Sequence, residues 1–274
     1  MIDIALQPKF ARPPVIEVVH GVRFRRLDLT IAHPGQFHAL LRDRYPRVQT
    51  VPALPAEREF FGGSRFPVFR LEMPLMAELP RAWFVSADNT VLIQLQQDRI
   101  LVNWRSNAGQ GIYPHYSAIS ERFKEIYRIF TTFVADAGLG DLAAELCEMT
   151  YINHMGSWPR DVAMTPQTWL RGCSGDQGFE WTGEMEDFAT ASRFALRRPD
   201  GQPFGRLTVQ ASTIIAPPTG DRSLQVEITV RGYPDVSTFD GVRAFHDMAH
   251  DRIVRCFAAI TTESAHKDWG RLPA

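Results

Sequence analysis

The stretch HDMAHD, residues 246 to 251, places two histidines four residues apart, and this is the most enzyme-like spacing in the chain. On a helix, His246 and His250 project from one side, and with His266 as a third ligand they could hold a divalent metal. The pattern departs from the HExxH zinc-protease signature. Asp247 follows the first histidine where a glutamate is needed, and no later His or Glu stands at a family spacing. Helical phase also matters. Val242, His246, His250, Ile253, Phe257 and Ile260 share one stripe, so both imidazoles face the contact between helix and sheet. Arg243, Asp247, Asp251 and Arg255 fall outside as a ladder of i,i+4 pairs. The stripe therefore favours structural histidines, with no metal and no cofactor assigned. His246, His250 and His266 stay as the metal set of an alternative reading, an enzyme with a cleft between two halves.

Other reactive-looking groups lead no further. GCSGDQG, residues 172 to 178, lacks the glycine placement of a GxSxG elbow and the Lys-Ser/Thr end of a phosphate loop, so it reads as a loop. Glu184 and Glu186 alternate onto one strand face without the apolar surroundings that raise a general acid. Tyr113, Pro114 and Tyr116 with Trp104 could form an aromatic wall for stacking, or core staples where a strand enters a helix. Tyr151 and Asn153 are polar groups inside an apolar strand and need partners if buried. No catalytic residue is assigned, and the balance leans away from an enzyme.

A binding surface is better marked. In LIQLQQDRILVNWR, residues 92 to 105, alternation puts Gln94, Gln96, Asn103 and Arg105 on one face and Ile93, Leu95, Ile100, Val102 and Trp104 on the other. Gln210, Gln225 and Arg231 alternate in the same way later in the chain. A face rich in amides and guanidinium and poor in Lys offers fixed donor and acceptor geometry, beyond what a plainly solvated face requires. These seven residues are the predicted binding set for a protein or peptide partner, through the polar sheet face or an open edge.

The positioning elements follow from periodicity. VIEVVHGVRF reads as a strand and HPGQFHALLRDRYP as a short helix. Pro46, Pro52, Pro55 and Gly62-Gly63 mark an irregular crossing. SRFPVFRLEM, RAWFVSADN, TVLIQLQQ and DRILVNWR then read as strands, with turns at Asp88-Asn89 and Gln97-Asp98. Tyr116 to Val134 recurs in threes and fours as a long amphipathic helix, closed by Gly138 and Gly140. AAELCEMTYINHM restarts the order with a strand. TPQTWLRG follows as a short helix, then FEWTGEMEDFATASRFALRRP, PFGRLTVQASTIIA and SLQVEITVRGY as strands, and residues 239 to 262 as a second long helix. The prediction is an α+β protein of two similar β-α-β(3-4)-α halves, 1–140 and 141–274. They form a continuous or paired antiparallel sheet with two long helices on one face.

Composition bounds what such a protein does. The 274 residues are 45% hydrophobic and 11% aromatic, enough for a substantial core. Thirty Lys plus Arg against 31 Asp plus Glu, a formal net charge of -1, disfavours nucleic acid as a partner. Cys147, Cys173 and Cys256 stand too far apart for a CxxC knuckle, which predicts a reducing, cytoplasmic setting. The start MIDIALQPKF lacks a signal-peptide core, and no apolar run nears the roughly 20 residues of a membrane helix, so no membrane association is predicted.

Together, VIEVVHGVRF, the WF before LIQLQQDRILVNWR, YPHY, YIN, and the AHD helix ending in AAITTESAHKDWG resemble an uncharacterised, sporadically distributed bacterial family of about 270 residues. The resemblance spans essentially the whole chain, with NWR, YPHY and YIN its most specific parts. It carries no activity, cofactor or catalytic residue to this chain. The patchy distribution implies an accessory or defence gene cluster, and with the polar face it suggests a noncatalytic binding or adaptor subunit.

Overall fold

The alternating β-branched run VIEVVHGVRF forms strand β1 (Val15–Phe24), the central strand of a nine-stranded sheet. The computed structural model describes residues 8–55, 79–106, 112–159, 164–172, 185–216 and 219–273. From β1 the chain passes through helix α1 (His33–Ala39) to an outer strand, β2 (Arg47–Val51). It returns strand by strand through β3 (Arg81–Val85), β4 (Val91–Gln96) and β5 (Arg99–Arg105), which pairs with β1. Helix α2 (His115–Asp136) then leads to β6 (Ala144–Trp158) on the other side of β1. A single helical turn at Pro166–Thr168 precedes the opposite edge strand, β7 (Ala189–Arg197). β8 (Pro203–Ala216) and β9 (Asp221–Gly232) bring the chain back to β6. Helices α3 (Phe239–Ile260) and α4 (Glu263–Asp268) complete the order. The strand order is β2-β3-β4-β5-β1-β6-β9-β8-β7, with antiparallel pairing throughout, so the class is α+β.

Local chemistry explains the joints. Asp88 accepts from the Ser86 and Thr90 hydroxyls and the Thr90 N–H, and this clamps the β3–β4 turn while Asn89 takes φ 64°. Thr238 caps α3 by accepting from the Gly241 N–H, and Asp240 adds negative charge to its first turn. Helix α2 opens differently. Pro114 offers no side-chain cap, and His115 sits at φ 65°, a strained value for a residue with a Cβ.

The core fills one face of the sheet. Val18, Val22, Ile93, Ile100, Val102 and Met149 are buried there, and His20 at the centre meets Phe123 of α2 and His246 of α3 at ring separations of 4.9 and 5.0 Å. Phe24 and Phe37 close on Phe130 of α2 at 5.5 and 5.4 Å.

Some sequence expectations change. Arg47–Val51, read as irregular crossing, is strand β2; its residues are nearly all exposed, so RVQTV carries no in/out alternation. The chain past α3 breaks at Thr261 and starts the separate helix α4, capped by Thr262. The strand assigned to residues 64–73 lies outside the described residues, as do Cys173, Glu184 and nearly all of GCSGDQG. Cys147 and Cys256 are free thiols.

Candidate ligand site between the long helices

Three segments far apart in sequence meet above the central strands. Strand β6 presents Tyr151 and Asn153 on the same face as the core, in register with Val18 and Val15 of β1. The entry to α2 supplies Tyr113, His115 and Tyr116, and α3 supplies His250. Tyr151 Oη lies 2.9 Å from His250 Nδ1 and 3.2 Å from Tyr113 Oη, making a chain of three polar groups. Tyr116 stacks on His250 and donates its hydroxyl to Asp247 at 2.7 Å. These groups border a cavity of about 500 Å³, within the usual range for small-molecule sites.

The opposite wall is mostly apolar and is built where residues 9–12 pair with residues 269–272. Ala11 and Arg12 donate to the Gly270 and Trp269 carbonyls at 3.0 Å, and the Leu272 N–H donates to Lys9 at 2.9 Å. This pairing holds Phe10 against Phe257 of α3, ring centroids 6.0 Å apart, with Leu272 beside them on the cavity wall.

Burial sets the charge state. It lowers His250 to about 4, only partly opposed by Asp251 and Asp247, so the imidazole is neutral near pH 7. Burial pushes Tyr113 up to about 12, and it raises Tyr151 and Tyr116 further from ionisation, the Asp247 contact adding to the effect at Tyr116. With Nδ1 unprotonated, Tyr151 donates to His250 and Tyr113 donates to Tyr151, which satisfies the chain without any ion.

The other two histidines of the candidate metal set serve the core. His246 is buried, with Nδ1 2.9 Å from the Val242 carbonyl and Nε2 3.1 Å from that of Glu148. Burial lowers it to about 4, and a neutral ring has one N–H, so only one carbonyl receives it. His266 Nε2 lies 2.7 Å from Thr261 Oγ1. Among the described residues no three His, Cys, Asp or Glu side chains stand where they could hold a metal, so the alternative set His246, His250 and His266 is not assembled. The outer ladder of α3 is partly rearranged. Arg255 pairs with Asp251, while Arg243 turns to Asp240 and Asp247 serves Tyr116.

The seven predicted binding residues lie on the sheet face opposite the core, but they differ in access. Gln94, Gln96 and Asn103 are buried. Gln94 donates to Asn103 at 2.9 Å and accepts from Trp83, and Asn103 donates to Glu17 at 2.5 Å. Gln96 bonds both backbone groups of Leu54, and Arg99 donates to the Pro55 carbonyl, so the chain crosses its own sheet here. Arg105 donates to Asn89, Arg231 pairs with Glu148, and Gln225 contacts His154 at 3.1 Å. Gln210 is exposed. The amides of the N-terminal part thus bind their own chain, and the face is open chiefly around Gln210.

The cavity residues were partly visible in the sequence. Tyr113 and Tyr116 stood out as a possible stacking wall, and Tyr151 and Asn153 as polar groups in an apolar strand. Lys9, Phe10 and Leu272 carried no signal, because their role arises from pairing of residues 9–12 with residues 269–272, far apart in sequence. No protein-family model matches the chain, and no curated protein matches it. No helix among the described residues is long and apolar enough to cross a membrane.

Proposed function

We propose that this is a binding protein whose ligand occupies the cavity between α2, α3 and β6. The observation that carries the reading is the hydrogen-bonded series Tyr113, Tyr151 and His250 bordering about 500 Å³ of space whose far wall is built mainly of apolar side chains. A few convergent polar groups in an apolar hollow are the usual composition of a small-molecule site. Strand order supports a related inference, that 1–140 and 141–274 are two copies of one unit. Each runs from a central strand to an edge and back by neighbouring strands, then into a long helix, and the cavity lies where the two meet.

The test uses the neutral fluorescent probe N-phenyl-1-naphthylamine. Saturable binding at one probe per chain, abolished by Val254→Trp at the cavity wall, supports the reading. Absence of saturable binding, or binding unchanged in Val254→Trp, overturns it.

A second reading, a noncatalytic adaptor for a protein or peptide, is favoured by β7. All of Ala189–Arg197 except Leu196 is exposed, Phe194 is 54% accessible, and among the described residues no strand pairs with its outer edge. Such an edge accepts an extended peptide. Co-purification of a partner that is lost in Phe194→Lys and in Gln210→Ala supports this reading, and a complex indifferent to both removes it.

A further inference from the structure

We infer that the cavity selects an elongated apolar molecule ending in an uncharged hydrogen-bonding group, such as a hydroxyl or amide, with that group at Tyr151 and His250. This deepens the proposed function and rests on it.

Polar and apolar walls are segregated along α3. His250 lies at one end, Ile253 and Val254 follow one turn on, and Phe257 stands two turns away against Phe10. At 1.5 Å per residue the His250–Phe257 separation is roughly 10 Å, so a ligand filling the space is longer than a single ring. One end of it meets phenols, an imidazole and the Asn153 amide; the other meets mostly hydrocarbon, with Lys9 at the rim.

Charge decides the head group. Of the described side chains lining the cavity, Lys9 alone carries a fixed charge, and it is exposed at the rim. The inner groups favour their neutral forms: burial depresses His250 and elevates Tyr113 and Tyr151. The environment that keeps these groups uncharged also penalises a carboxylate or ammonium brought among them. The first turn of α2 does attract negative charge, but a helix end contributes about 1 kcal/mol, against several for desolvating an unpaired ion. With Tyr113 and Tyr151 donating along the series, the phenol oxygens are left to accept and the remaining His250 N–H to donate, which suits an alcohol or amide.

The test is displacement of N-phenyl-1-naphthylamine from the intact protein by 1-octanol, octanoate and octylammonium, which share a tail and differ in the head. The expected result is displacement by 1-octanol at a concentration at least about tenfold below that of either ion, with the preference reduced in Tyr151→Phe. Equal or better displacement by octanoate or octylammonium overturns the head-group assignment while leaving the cavity a ligand site. Octanol selectivity unchanged in both Tyr151→Phe and His250→Leu overturns the placement of the head group. Failure of the probe to bind at all strikes the proposed function itself.

Discussion

Tyr116 lies flat on His250, with ring centroids 3.8 Å apart and planes 4° from parallel, and so joins the first turn of α2 to the middle of α3. This stack braces the polar end of the cavity. It also accounts for the entry of α2: a helix begun at Pro114 without a side-chain cap, through His115 at φ 65°, has its first turn secured by a tertiary contact. Tyr116→Phe keeps the stack and loses the hydrogen bond to Asp247, which should cost about 1 kcal/mol. Tyr116→Ala should cost about 2 to 3 kcal/mol, less than a fully buried aromatic truncation. Urea unfolding of both variants checks the order, and equal losses would deny the stack its role.

Stability should fall on mild acidification. His246 and His250 have folded pKa values of about 4 against an ordinary 6.5, so below about pH 6.5 the unfolded chain takes up protons that the native protein refuses. Their stabilising contribution is complete above that point and is lost as pH falls toward 4. Between about pH 7.5 and about pH 5 each is worth roughly 2 kcal/mol. Buried His20, also lowered, acts in the same sense. His266 is lowered by burial too, and Glu227, raised by burial, acts in the opposite sense as one group against four. Urea midpoints at the two pH values measure the loss. A midpoint that does not fall on acidification contradicts the account.

His20 should be improvable. It is fully buried between Phe123 and His246, and among the described residues neither ring nitrogen has a hydrogen-bond partner. An unpaired buried polar atom costs about 1 to 3 kcal/mol. His20→Met, flexible enough to fill the same space, is expected to raise stability by about 1 to 2 kcal/mol in denaturant unfolding. A loss of stability would mean that the imidazole has a favourable contact, for instance with a bound water.

The amide face makes a contrasting prediction. Asn103→Ala removes the link between Gln94 and Glu17 and should destabilise by about 1 to 3 kcal/mol, while Gln210→Ala, at an exposed site, should change stability by less than about 0.5 kcal/mol. Thermal unfolding of the two variants separates a structural amide from an available one.

These contrasts show what the sequence could express. Alternation in LIQLQQDRILVNWR correctly placed Gln94 and Asn103 opposite Ile93 and Val102, because side-chain direction in a strand is a local property. It could not report that Leu54 and Pro55 return across that face to bind Gln96 and Arg99, since the contact spans more than forty residues. For the same reason Tyr151 was legible as a polar oddity in β6, while its partners Tyr113 and His250 became visible only when β6, α2 and α3 were brought together. Strand β2 and helix α4 escaped notice because neither RVQTV nor ESAHKD carries an amphipathic repeat long enough to read.

Chemical-shift mapping of the isotope-labelled protein during titration with N-phenyl-1-naphthylamine addresses the central claim most directly. Saturable shifts concentrated at Phe10, Tyr151, His250 and Phe257 are the predicted result. Shifts centred instead on Gln210, Gln225 and β7, or none that saturate, would contradict the assignment of the cavity as the ligand site.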